Sequence, residues 1–240
     1  MAVRLPAEMA PTPDSDALKR AAADAALELV EDGMTLGLGT GSTAHWFVAG
    51  LAERLRSGSL RGLRGVPTSE ATARQAREAG VELVELPAEG VDLAVDGMDE
   101  LSPSLDAVKG LGGALLREKV VAAAARRFVL IGDESKLVSR LGEKAPVPVE
   151  VVRFGLKRTE YLLASLGAQT SLRLAGGEPF VTDNGNHVVD CRFAAPFDPE
   201  ELAAEISALP GVVEHGLFLG MADLAFVAGE GGVRRLGGPA

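Results

Sequence analysis

The sequence predicts an α/β fold: a mostly parallel sheet flanked by helices, with a second, smaller α+β domain. Three observations carry this. Short apolar runs at 34–38, 63–66, 81–86, 93–95, 128–131 and 222–227 alternate with segments of helical period, the pattern of parallel strands joined by right-handed crossovers. Loops rich in Gly, Ser, Thr and Asp directly follow three of those runs, at the strand ends where such sheets bind ligands. The texture then changes near Pro146, where extended segments outnumber helices.

The totals fit a globular chain. With 240 residues, 47% of them hydrophobic, it can bury a sizeable core. No apolar run reaches the roughly 18 residues of a membrane span, and no basic region with an apolar core opens the chain. The net charge of −10 argues against nonspecific nucleic-acid binding, though a few local donors can still hold an anion. The single cysteine, Cys191, excludes an intrachain disulfide and a cysteine-based metal cluster. A cytoplasmic location, without nucleic acid or membrane as partner, is expected.

In chain order, residues 1–13 carry three prolines and no period, and are expected to form a loose arm. Asp14 or Ser15 caps a helix on which Leu18, Ala21, Ala22, Ala25, Leu29 and Val30 keep helical spacing, with Lys19 off that stripe. A strand over 34–38 leads into Gly39-Thr40-Gly41-Ser42-Thr43 and a helix over 44–55. Strand, Gly-rich turn and helix aim backbone N–H groups at a phosphate. The loop lacks a Walker lysine and the third glycine of a dinucleotide fingerprint, so phosphate binding and a plain tight turn both remain open at this point. A strand over 63–66, a helix over 70–79 with Ser69 as N-cap, and strands over 81–86, 93–95 and 128–131 follow. The architecture is Rossmann-like, and 1–145, completed by 220–240, is expected to be its extent.

Residues 146–219 are expected to form a small α+β lid or dimerisation domain. It contains an extended entry at 146–152, a helix over 157–166, a hairpin over 180–190 about Asn184-Gly185, and a helix over 199–209. The Gly-rich end from Gly229 is expected to fray.

Chemistry concentrates between 92 and 119. An apolar run ends in Asp96, Asp99 and Glu100. Lys109 precedes the glycine cluster Gly110-Leu-Gly112-Gly113, and Glu118 follows nine residues after the lysine, at the start of a helix. Acids at a strand end, a cation, a backbone-exposing loop and a helical acid suit proton transfer. Taken singly, Glu118 reads first as an ordinary helix-surface acid and Lys109 as a solvated loop residue. Three scattered histidines, His45, His187 and His215, form no ligand-spaced pair, so no metal is expected.

Seven segments in order carry a resemblance: Gly-Thr-Gly-Ser-Thr (39–43), Val-Pro-Thr-Ser (66–69), Asp-Gly-Met-Asp-Glu (96–100), Lys-Gly-Leu-Gly-Gly-Ala-Leu-Leu-Arg-Glu-Lys (109–119), Asp-Glu-Ser-Lys (133–136), Thr-Asp-Asn-Gly-Asn (182–186) and Leu-Pro-Gly-Val-Val-Glu-His-Gly-Leu-Phe (209–218). Together they closely resemble the A-type ribose-5-phosphate isomerases over about residues 15–228. The resemblance implies metal-free, cofactor-free interconversion of ribose 5-phosphate and ribulose 5-phosphate through an enediol(ate). By position, Glu118 looks like the base moving a proton between carbons 1 and 2, and Lys109 like the cation at the enediolate oxygen. Asp96 and Asp99 look like the pair that helps open the ring. Thr40, Gly41, Ser42 and Thr43, with Lys19 and Lys136 as cationic partners and Gly110 and Gly112 in the loop, would hold the sugar phosphate. A homodimer is implied, and the run Gly216 to Leu219, if exposed, would suit its contact.

The chain departs from the family pattern at Leu111, where glycine is usual, at Met98, where a smaller residue is commoner, and at His215, where asparagine is usual. Two other functions compete: an amino-sugar phosphate deaminase-isomerase or coenzyme A transferase on a related fold, and a non-enzymatic sugar-phosphate sensor. The spacing of Lys109 and Glu118 favours the pentose isomerase over the first. A sensor need not keep Asp96, Asp99, Lys109 and Glu118 together.

Overall fold

Alternating elements begin at Ser15 in a computed structural model that describes residues 15–238. Asp14 and the arm expected over 1–13 lie outside the described residues. Helix α1 (Ser15–Leu27) turns Ala22, Ala23, Ala26 and Leu27 inward. Strand β1 (Thr35–Leu38), helix α2 (Ser42–Ser57), strand β2 (Arg64–Pro67), helix α3 (Glu70–Glu78), strand β3 (Glu82–Leu83) and strand β4 (Leu93–Gly97) follow. Ser69 caps α3, its hydroxyl accepting from the Thr72 N–H at 3.1 Å, as its place before Glu70 predicts. Short strands β5 (Glu100–Leu101) and β6 (Ala107–Val108), helix α4 (Leu115–Ala123), strand β7 (Phe128–Asp133) and a single 3₁₀ turn (Glu134–Lys136) complete this part.

Next come β8 (Val147–Val151), α5 (Leu156–Ser165), β9 (Ala168–Leu172), β10 (Leu174–Ala175), β11 (Glu178–Pro179), β12 (His187–Phe193), α6 (Pro199–Ser207), β13 (Val212–His215) and β14 (Leu217–Phe218). The chain then returns through β15 (Leu224–Gly229) and β16 (Gly232–Gly237).

The main sheet has seven strands in the order β16-β15-β7-β4-β1-β2-β3, parallel except for β16 at one edge. Pairing of Leu38 with Pro67 and with Val95, and of Gly97 with Ile131, brings the carboxyl ends of β1, β2, β4 and β7 to one level. Every residue of β1 and β7 is buried, as expected of strands covered on both faces. Leu36, Leu38, Phe47, Leu51, Val129 and Ile131 pack in one core cluster with α1, while Ala94, Val121, Phe128, Leu130 and Phe218 pack in another.

A four-stranded sheet, β13-β8-β12-β9, has its own core of Val147, Val149, Val151, Leu163, Val189, Cys191 and Ile206, which Val108, Val138 and Leu141 also join. A three-stranded sheet, β14-β6-β5, connects the two parts.

Four expectations are corrected. Only Glu82–Leu83 of the 81–86 run pairs as a strand. The hairpin expected over 180–190 does not form, because both edges of β12 are taken, by β8 and by β9. Residues 180–186 are a loop instead, in which Thr182, Asn184 and Asn186 turn inward to hydrogen-bond the buried Glu150. Within the described residues the Gly-rich end does not fray, since β16 pairs with β15 over six residue pairs from Gly232 to Gly237. The 216–219 run is not an exposed apolar surface: Leu217 and Phe218 are 2% and 1% exposed, in the β14 sheet.

Candidate active site

The site is built where the carboxyl ends of β1 and β4 meet the loop after β6. Gly39 lies against Asp96: a Cβ there would stand 2.2 Å from Asp96 Oδ1 and 2.6 Å from its Cα. This close approach lets Asp96 Oδ1 accept the Thr40 N–H at 3.0 Å and the Gly97 N–H at 2.7 Å. The other oxygen, Oδ2, stands 3.1 Å from Lys109 Nζ. Asp96 thus joins the loop after β1 to the lysine.

Lys109 follows β6, and its N–H is held by the Gly216 carbonyl at 2.9 Å. Its ammonium donates to the Gly97 carbonyl at 2.6 Å, lies 3.5 Å from Glu118 Oε1 and sits 5.4 Å from the Phe218 ring centroid. Glu118 stands in the first turn of α4, where the helix dipole favours an acid. The side chains of Lys109, Asp96 and Glu118 are 3%, 4% and 3% exposed. Among the described residues, only Glu118 Oε2 and Glu150 Oε2 are buried side-chain oxygens that accept no hydrogen bond.

Three acids share this one ammonium, and the balance shifts each group. Burial pushes the Glu118 carboxyl up to about 8; the Asp96 charge adds to this and Lys109 opposes it. Burial also raises Asp96, against the pull of Lys109 and of its hydrogen bonds. For Lys109, burial works to lower the ammonium, but Asp96, Glu118 and Asp99 together hold it above its ordinary value. A carboxyl that holds a proton near neutrality beside a fixed cation can take and return one.

Asp99 is half-buried and accepts the Leu111 N–H at 2.9 Å. Asp99, Lys109 and Glu118 line a cavity of about 60 Å³ with Gly110, Gly112 and the Thr40–Thr43 loop. A wider cavity of about 630 Å³ adjoins it, sharing Thr40, Gly41, Ser42 and Gly112 and adding His45, Arg74 and Gln75. An apolar depression of about 420 Å³ beside Val66, Leu86, Leu116 and Val120 includes none of these acids and not Lys109; the groups able to do chemistry belong to the smaller cavity.

The Thr40–Thr43 loop ends at the start of α2, whose first N–H groups have no acceptor within the helix. The Thr40 hydroxyl is engaged inside the protein, with Thr68 at 2.7 Å, Ser69 at 2.9 Å and Thr72 at 3.2 Å. With its N–H on Asp96 as well, Thr40 ties the loop down, while Ser42 and Thr43 carry the hydroxyls left to face the cavity. Lys19 and Lys136 are not among the lining residues of either cavity. Lys19 bonds Asp16 at 3.1 Å on α1, and Lys136 ends the 3₁₀ turn after β7.

The three departures resolve in different ways. Leu111 is 43% exposed and outside the cavity lining, whereas Met98 lines the cavity. His215 is buried, and its Nδ1 accepts the Leu217 N–H at 3.2 Å. Burial and the nearby Lys119 push the imidazole down to about 4, so it is neutral at pH 7. His45 is exposed beside Trp46, and His187 Nδ1 pairs with the Phe180 carbonyl at 2.7 Å.

Sequence reasoning missed Lys119, which bonds Glu214 at 2.8 Å and the His215 carbonyl at 2.6 Å. It also missed Arg117, which spans Glu70 at 3.0 Å and Asn184 at 3.0 Å, and Arg173, which is held by Asp190 and reaches the Lys109 loop from the second sheet. The partners of Arg117 and Lys119 lie 47 to 96 residues away, beyond any local spacing signal. Among the described residues, no group of three or more His, Cys, Asp or Glu is placed to hold a metal ion, and no helix is long and apolar enough to cross a membrane.

The family model described as ribose 5-phosphate isomerase A (phosphoriboisomerase A) matches residues 64–232. A relative named ribose-5-phosphate isomerase A, from Roseiflexus sp. (strain RS-1), is 54% identical over 228 residues, covering 94% of this chain and 98% of the relative. A solved D-ribose-5-phosphate isomerase in complex with phospho-erythronic acid superposes with a TM-score of 0.91 at 38% identity, over 94% of this chain and 100% of the other. The ribose 5-phosphate isomerase of Plasmodium falciparum gives 0.90 at 38% identity over the same shares.

Proposed function

The chain belongs to the ribose 5-phosphate isomerase A family, and on that premise we propose how its buried residues divide the work of the reaction. The activity is the aldose–ketose interconversion of ribose 5-phosphate and ribulose 5-phosphate, a step of pentose phosphate metabolism. Glu118 is the base. Its carboxylate takes the proton from carbon 2 of the open-chain aldose, the electron pair forms the carbon 1–carbon 2 double bond, and negative charge develops on oxygen 1. The Lys109 ammonium compensates that charge in a site that excludes water. Protonated Glu118 then returns the proton to carbon 1, while the hydroxyl proton of oxygen 2 moves to oxygen 1 as the ketone forms. Asp99, at the cavity wall, assists ring opening and this hydroxyl transfer. Asp96 holds Lys109 and the Thr40 loop in register.

The observation that carries this reading is the unpartnered, buried Glu118 Oε2 beside a lysine shared with Asp96. The phosphate is held at the start of α2 by Gly41, Ser42 and Thr43, with Gly110 and Gly112 bordering the sugar; Lys19 and Lys136 act from outside the lining as a positive field. Residues 146–219 serve as the lid and dimer domain. The homodimer contact uses exposed apolar side chains there, Phe154 at 94% and Tyr161 at 65% exposure, and the enzyme works in the cytoplasm without metal or cofactor.

The test is a coupled isomerase assay on ribose 5-phosphate with a strong chelator present, comparing the wild type with Lys109→Ala. Turnover that survives chelation and collapses in the variant is expected. Activity that a chelator abolishes and a divalent metal restores would overturn the reading.

A further inference from the structure

The loop after Lys109 carries two glycines in the left-handed region, Gly110 at φ 101° and Gly113 at φ 81°, so its own sequence does little to rigidify it. On the side before Lys109, β6 and the Gly216 carbonyl fix the chain. On the side after it, the second sheet supplies the restraint. Arg173, between β9 and β10, donates from Nη1 to the Gly110 carbonyl at 2.8 Å and to the Leu111 carbonyl at 3.0 Å. Its Nε donates to Asp190 Oδ2 at 3.0 Å, and its Nη2 donates to Asp190 Oδ1. The two side chains are 13% and 21% exposed. Phe180 lies over Gly113, where a Cβ would stand 2.4 Å from the Phe180 ring.

We propose that Arg173, oriented by Asp190, is a positioning residue for the isomerisation: it clamps the Gly110–Gly113 loop from the second sheet and so sets where Lys109 and Asp99 meet the substrate. The guanidinium is already committed on one edge to a carboxylate, which leaves the other edge aimed at the two carbonyls in a fixed fork. With those carbonyls turned toward Arg173, the Leu111 N–H faces Asp99. The one clamp therefore bears on two of the cavity acids' partners at once. The phosphate end of the substrate sits on a different element, the loop before α2, which Arg173 does not touch. The inference rests on the assignment of Lys109 above.

The experiment compares the full-length wild type with Arg173→Ala, Arg173→Lys, Asp190→Asn and Lys109→Ala. It reads kcat, KM, competitive inhibition by inorganic phosphate, and the pH profile. Glu118 faces Asp96, Asp99 and Lys109; because Lys109 opposes its rise, a displaced Lys109 moves the Glu118 limb to higher pH. Expected for Arg173→Ala are a kcat at least about tenfold lower, phosphate inhibition within about twofold of wild type, and an alkaline shift of that limb. Arg173→Lys, which keeps the charge but loses the fork, should fall between. Where Arg173→Ala fails to fold, Asp190→Asn and Arg173→Lys carry the test, each expected to lose at least about threefold in kcat with the same shift. Wild-type kcat in the folded variants, or a loss of kcat with an unmoved limb, overturns the positioning role. Lys109→Ala with full turnover would overturn instead the assignment on which it rests.

Discussion

Replacing Glu118 by Gln should make the protein more stable and nearly inactive. The carboxyl is 3% exposed, and burial lifts it from 4.5 to about 8. A raised carboxyl contributes stability that is fully present below its unfolded value of 4.5 and is lost as pH rises through about 8. The whole interval corresponds to at most about 5 kcal/mol. That interval already contains the attraction to Lys109 at 3.5 Å, so the neutral amide of Glu118→Gln stands in for the protonated carboxyl, and its imperfect match to that group's hydrogen bonds reduces the gain. A net stabilisation of about 1–3 kcal/mol is expected at pH 9, and near equality with the wild type at pH 4.5. Urea unfolding at the two pH values measures both, with unchanged m-values showing that the same surface is exposed. Turnover should fall by at least about 10²-fold with KM little changed, and uptake of deuterium into substrate from heavy water should fall with it. Equal or lower stability at pH 9 would refute the electrostatic account. Near-normal turnover and deuterium uptake, with loss of both in Asp99→Asn, would move the base to the strand end.

Three further outcomes follow from the same geometry. In the wild type, kcat/KM should rise with pH as Glu118 ionises beside Asp96, Asp99 and Lys109, and level off above about 8; a flat profile from pH 6 to 9 would count against Glu118 as the base. Gly39→Ala places a methyl 2.2 Å from Asp96 Oδ1 and 2.6 Å from its Cα, so stability should fall by about 1–3 kcal/mol and kcat by at least about tenfold, checked by unfolding and steady-state kinetics. Thr43→Ala should raise KM with kcat nearly unchanged, because a contact to the unreacting phosphate is the same in ground and transition states; a large loss of kcat at constant KM would contradict it.

Local signals in the chain were enough to set the order and kind of the main elements. Buried runs such as 35–38 and 128–133 are mostly apolar, and helices such as 70–78 show both period and cap. Residue types and spacing also placed Asp96, Asp99, Lys109 and Glu118 within one stretch, so their proximity in the fold was legible before any contact was known. What each group experiences came from tertiary packing alone. Burial of Glu118, the sharing of Lys109 between Asp96 and Glu118, and the capture of the Thr40 hydroxyl by Thr68 and Ser69 depend on groups that meet 9 to 29 residues apart in sequence. The hairpin expected about Asn184-Gly185 failed for the same reason: its turn residues suit a hairpin, but β12 was already paired on both edges and Glu150 offered the Asn side chains a buried acceptor. Propensity acts between neighbours, whereas desolvation and hydrogen-bond competition act between whatever the fold brings into contact.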